Sequence, residues 1–185
     1  MRFTLTYDGP LPGSKRNARS LQAIRDALHP QLVELWQHEP LRDRHDLLKP
    51  AGTTEISVLV ERSGQFYGAL VHDNLHLTAE LDLLLLRPES AAGPIVRGDI
   101  DNRLKTLLDA LSAPAHAQQV PEGARPTSAD DPLYTLLQDD RLITRVTVET
   151  DRLLAPVQDP DWNSVVIRVT VKARRLILGN MDLSS

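Results

Sequence analysis

The sequence predicts a mixed α/β (α+β) fold, a small mixed sheet packed against two main helices. Period-two alternation marks several segments as strands, helical spacing of apolar residues marks two others, and the two kinds are interleaved along the chain. At 185 residues with 41% hydrophobic content, the chain is long enough for one real core. It reads as a single domain over 1–185, with an insertion at about 112–138.

The elements follow in order. A first strand covers about 2–7, where Arg2-Phe3-Thr4-Leu5-Thr6-Tyr7 alternates, and the turn Asp8-Gly9-Pro10 ends it. This start reads as a strand rather than a signal peptide. A helix from about 18 to 37 places Leu21, Ile24, Leu28, Leu32 and Leu35 on one face, with Pro30 inside it to kink or split it. Strands near 54–61 and 65–72 meet at Ser63-Gly64 as a hairpin. A third, near 75–86, sets Leu75, Leu77, Ala79, Leu81 and Leu83 against a polar face that includes Glu80 and Asp82. After a loop through Pro88 and Pro94, Ile100, Leu104, Leu107, Leu108 and Leu111 give the second helix its apolar stripe. The Ala-, Pro- and Gln-rich stretch beyond it reads as extended or mobile. That stretch ends in a short helix capped by Asp131, with Pro132 at its first position. Leu142, Thr144, Val146 and Val148 then mark a strand, and Val165, Ile167, Val169 and Val171 the last one. The tail from Gly179 is expected to fray.

The chemistry lies in the second helix and in the strand near 142–149. Asp99 stands at the N-cap position after Gly98, and Asp101 and Lys105, four apart, share the polar face. A helix N-terminus also attracts anions such as phosphate. Further along, Asp139-Asp140 precede the strand. If that strand is regular to its start, Asp140 shares parity with Leu142 and points to the buried face, where it needs a neutralising partner. Asp139 then points away. A divalent metal shared by Asp99, Asp101 and Asp140 meets that need. Taken one at a time, these residues also have plainer readings as a helix cap, a surface ion pair and a turn.

The run Asp99-Ile100-Asp101-Asn102-Arg103-Leu104-Lys105-Thr106-Leu107-Leu108-Asp109-Ala110-Leu111 resembles the D-x-D-N-x-x-K-x-x-x-D-A-L signature of RusA-type Holliday junction resolvases. Asp139-Asp140 before an apolar strand resembles that family's second motif, and Gly9-Pro10-Leu11-Pro12-Gly13-Ser14 is a looser likeness to its proline-containing N-terminal stretch. The resemblance implies a small homodimeric, Mg2+-dependent endonuclease, with Mn2+ as a substitute, that nicks four-way DNA junctions on two symmetric strands. Asp99, Asp101 and Asp140 match its metal-binding acids, Lys105 its catalytic lysine, and Asn102 belongs to the motif. The stretch between Leu111 and Asp139 is far longer than the family pattern.

Charge and composition bound the alternatives. A net charge of −4 is unusual for a protein that grips phosphates, but Lys15, Arg16, Arg19 and Arg25 cluster near one end and Arg168, Lys172, Arg174 and Arg175 near the other. With Asn102, these supply candidate DNA contacts. Aromatic content of 4% argues against base-stacking platforms. The absence of cysteine excludes disulfides and thiolate metal sites and suits a cytoplasmic protein. The six histidines lack the spacing of a zinc site, and the nine glycines form no phosphate loop. No apolar run is long enough to span a membrane. Two rivals remain: a related nuclease acting on flaps, forks or RNA, and a non-catalytic nucleic-acid- or protein-binding adaptor whose working surface is the insertion.

Overall fold

The computed structural model describes residues 1–13, 17–88, 99–159 and 161–183, with the backbone alone at Asp99. Among these, seven strands and two α-helices keep the expected mixed order: β1 (Arg2–Pro10), α1 (Ala18–Trp36), β2 (Leu59–Arg62), β3 (Gln65–Val71), β4 (Leu77–Arg87), α2 (Asp99–Leu111), β5 (Leu133–Leu137), β6 (Ile143–Arg152) and β7 (Trp162–Ala173). The strands form two sheets rather than one, ordered β1-β7-β4-β6 and β2-β3-β5.

Alternation decides which sheet face is buried. Leu81, Leu83 and Leu85 of β4, with Ile167, Val169 and Val171 of β7, turn one face into the core. There they join Leu21, Ile24, Leu28, Leu32 and Trp36 of α1 and Leu107, Ala110 and Leu111 of α2. The opposite face carries Glu80, Asp82, Arg168 and Lys172 at intermediate or full exposure. Helix α1 starts in a capping box, in which the Asn17 side chain accepts from the Ser20 amide and the Ser20 hydroxyl accepts from the Asn17 amide. Pro30 neither splits nor ends this 19-residue helix. Pro30 and Asp26, whose carbonyl loses its amide partner, are both on the exposed side, where water can bond that carbonyl. The same helix closes the outer edge of β1. The Gln31 side chain accepts from the Thr6 amide (2.9 Å) and donates to the Thr6 carbonyl (2.7 Å), as a neighbouring strand would.

The hairpin forms where expected, with Ser63 and Gly64 both at positive φ (52° and 74°), the geometry of a two-residue turn between twisted strands. Its first strand begins only at Leu59. Three other expectations fail. Residues 133–137 are a strand parallel to β3, not a helix. Asp131-Pro132 is a fair helix start, but Leu133, Leu136 and Leu137 are all buried, and the ladder to β3 outweighs the local signal. The stretch before β5 is anchored: the Thr127 hydroxyl accepts from the Phe66 amide (2.6 Å), and the Thr127 amide donates to Gln65 (2.9 Å). The tail is held as well. Asn180 is fully buried and donates to the carbonyls of Leu75 (2.7 Å) and Arg175 (2.8 Å), and Leu183 reaches the core.

Two parallel strand pairs run through both sheets. β3 lies beside β5 and β4 beside β6, so the segments 65–87 and 133–152 travel together. Each bends at a 3-10 turn between its strands, Asp73–Leu75 in the first and Asp140–Leu142 in the second. Gln138 joins the bends, its amide donating to Val71 O (2.9 Å) and its side chain accepting from the Asp73 amide (3.0 Å).

Candidate functional site

Helix α2 carries the first motif, and its two faces differ in chemistry. Leu107 and Leu111 are buried, Leu104 and Leu108 partly so, and Asp101, Asn102 and Lys105 are exposed on the other side. Asp99 is the first helical residue, and its side chain lies outside the described part, as do Gly98, Lys15 and Arg16.

The buried face includes two cationic contacts that sequence reasoning missed. Arg103 is buried, donates to the Leu11 and Asp161 carbonyls, and pairs with the Asp161 carboxylate at 2.9 Å. Thr106 adds a hydroxyl 3.0 Å from the Pro12 carbonyl. The proline-containing segment is thereby fastened to the first half of α2. At the far end, Arg25 donates to the carbonyls of Asp109 (3.0 Å) and Ser112 (3.1 Å), satisfying acceptors that a helix terminus leaves open. Arg25 is 1% exposed and therefore no phosphate contact. Burial pushes its guanidinium down to about 10, still charged at neutral pH, with Tyr67, Asp109 and Asp26 acting against that. Both arginines fall within the apolar stripes of their helices, Arg103 between Ile100 and Leu107 and Arg25 between Leu21 and Leu28. A cation at a core position demands a partner, and that was the legible signal.

The second motif arrives differently from its expected form. Asp140 belongs to a 3-10 turn and β6 begins at Ile143, so the parity linking Asp140 to Leu142 breaks. Leu142 is buried and Asp140 is exposed. Asp139 caps the turn, accepting from the Arg141 amide at 3.0 Å. This turn packs against α2, as does β5. The structure therefore brings the second acidic motif to the helix that bears the first.

Neighbouring acids are neutralised within the chain. Asp73 pairs with Arg141 and, at 2.6 Å, with Arg174. Burial alone would raise the Asp73 carboxyl, but hydrogen bonds from the two arginines outweigh it and hold it below its ordinary range. Glu80 pairs with Lys172 and Arg145, and Asp82 with Arg145 at 3.1 Å. The Lys172 hydrogen bond lowers Glu80, and one from Thr147 lowers Asp82. Lys172 and Arg174, both candidate phosphate contacts, are thus already engaged, whereas Arg19 is exposed. In contrast, the side chains of Asp101, Lys105 and Asp140 form no ion pair or hydrogen bond among the described residues.

Exposed carboxylates without cationic partners suit a hard divalent ion, which prefers oxygen ligands and retains waters. Asp101 and Asp140 supply two such groups. Among the described residues, no three carboxylates or imidazoles gather as a metal cage. No helix among the described residues is long and apolar enough to cross a membrane. No family model, curated protein or solved structure matches this chain.

Proposed function

We propose that this chain is a Mg2+-dependent endonuclease of the RusA type that resolves four-way DNA junctions, acting in the cytoplasm as a homodimer. One observation supports the reading: the turn bearing Asp140 packs on α2, whose exposed face bears Asp101 and Lys105, and none of the three side chains has an ion-pair or hydrogen-bond partner among the described residues. Asp99, Asp101 and Asp140 would hold the metal, with Mn2+ as a substitute. When bound, the metal supplies Lewis-acid stabilisation of phosphate charge and a more acidic water. Lys105 sets an ammonium beside the scissile phosphate and offsets charge developing there. Arg103 and Arg25 hold α2 still at both ends, so that its exposed face presents these groups in fixed geometry. Asn102 and Arg19, with Lys15 and Arg16, are the candidate DNA contacts; Lys172 and Arg174 could serve only by leaving their acids.

The engagement of those two cations, with the net charge of −4, favours a second reading. The chain would then be a non-catalytic adaptor on the same fold, with the anchored stretch before β5 as its contact surface. Cleavage of a labelled four-way junction in Mg2+ or Mn2+, beside a linear duplex and a flap, separates these. Paired symmetric nicks in the junction alone, absent in Asp101→Asn, are expected. Flap or duplex cutting keeps the chemistry and discards the substrate. No cutting, together with no Mn2+ binding by calorimetry, leaves the adaptor.

A further inference from the structure

Strand β6 is the outermost strand of the larger sheet, and among the described residues β4 is the element packed substantially against it. It is ten residues long and contains no proline. Among the described residues no strand pairs with its outer edge. Val146 and Val148 lie on the core-side face, yet Val146 remains 36% exposed and Val148 only partly covered. A long edge with half-covered β-branched residues is a template for another strand.

The edge has a definite hydrogen-bond phase. The amide of Leu153, just past the strand, donates to Arg87 O at 2.6 Å. Along a regular ladder, odd-numbered residues therefore turn their peptide groups toward β4, and Val146, Val148 and Thr150 turn theirs outward. A second strand must pair even with even. When β6 is laid antiparallel on a copy of itself about Thr147, Val146 meets the partner's Val148 as a hydrogen-bonded pair. Thr147 meets its own equivalent, and the regular ladder runs from Arg145 onward, the register with β4 being interrupted at Thr144. On the other face, Arg145 meets the partner's Glu149. Glu149 is exposed and has no ion pair among the described residues, and in this register it comes to share the Arg145 guanidinium with Glu80 and Asp82, which already pair with it.

We infer that β6 is a self-pairing edge through which two copies of this chain join into one continuous sheet about a two-fold axis at Thr147. The sequence of β6 is self-complementary in that register, as an isologous contact requires. The inference gives the homodimer of the proposed function a surface, and it is tested without DNA or metal, so its failure is separate from failure of the nuclease reading.

The chain has no cysteine, so one introduced thiol reports the register. Thr147→Cys puts two thiols opposite each other in a non-hydrogen-bonded pair, close enough to bridge. Mild oxidation should convert most of that variant to a covalent dimer. Thr150→Cys, whose thiols stand about 20 Å apart along the strands in this register, should remain uncrosslinked. Sedimentation of the unmodified chain should show a dimer, and Glu149→Arg, which sets like charges opposite one another twice per dimer, should raise its dissociation constant about tenfold. A monomer at tens of micromolar overturns the inference. Equal crosslinking of the two cysteine variants, or a dimer indifferent to Glu149→Arg, does so as well.

Discussion

Two groups of acids in this molecule differ in how their charge is balanced. Asp73, Glu80 and Asp82 lie where the two sheets join or on the open sheet face, each against an arginine or lysine. Asp101 and Asp140 lie on α2 and on the turn packed beside it, without such partners among the described residues. The first group completes its charge balance within the chain, and the second leaves negative charge for something outside it. Unpaired exposed carboxylates are ordinary one at a time. Two of them on adjoining elements, with a lysine four residues from one, are the better guide to chemistry than the more numerous paired ones.

The strongest way to break this contrast is Asp101→Asn. It should lower junction cleavage on the order of a hundredfold or more while leaving the melting temperature unchanged. A large fall in melting temperature would move Asp101 into the structural population. Arg103→Met should instead act on stability, costing about 2–3 kcal/mol in urea unfolding because the buried Leu11 carbonyl and the Asp161 carboxylate lose a donor, with cleavage falling through the loosened helix. Acidification sharpens the picture next. Burial pushes His72 down to about 4, with Asp73 acting weakly against it, so the unfolded chain takes up a proton below about 6.5 while the folded one does not. Stability should fall by up to about 3 kcal/mol between pH 6.5 and 4, before the ion pairs of Asp73, Glu80 and Asp82 begin to protonate below the ordinary carboxylate range. Urea midpoints across that window would show it, and a flat profile would refute a buried neutral imidazole. The mildest change, Glu80→Gln, should leave cleavage untouched and move the melting temperature least.

The sequence made legible what repeats locally. The spacing of Ile100, Leu104, Leu107 and Leu111 gave α2 and, with it, the exposure of Asp101 and Lys105; alternation gave β4 and β7. What depends on distant partners was hidden. Leu133–Leu137 has no strand-like alternation because it is buried, and only its pairing with β3 decides its state. Asp140 left the predicted parity because it opens a three-residue 3-10 turn that precedes β6, and a short turn leaves no periodic trace. Asn180 reads as part of a polar tail until its carbonyl partners, Leu75 among them, are known. Arg103 and Arg25 stood in plain view in two apolar stripes, but nothing local identifies Leu11, Asp161 or Ser112 as their acceptors.

The amide of Gln31 on Thr6 limits how far any assembly of this chain can grow. A sheet with two open edges can add copies without end and yields fibres. Here α1 lays a side chain over the middle of one edge, so that a strand arriving at β1 must first displace two hydrogen bonds. If β6 joins a second copy as inferred, growth of this sheet ends at two copies, and the terminator is a single glutamine on a helix.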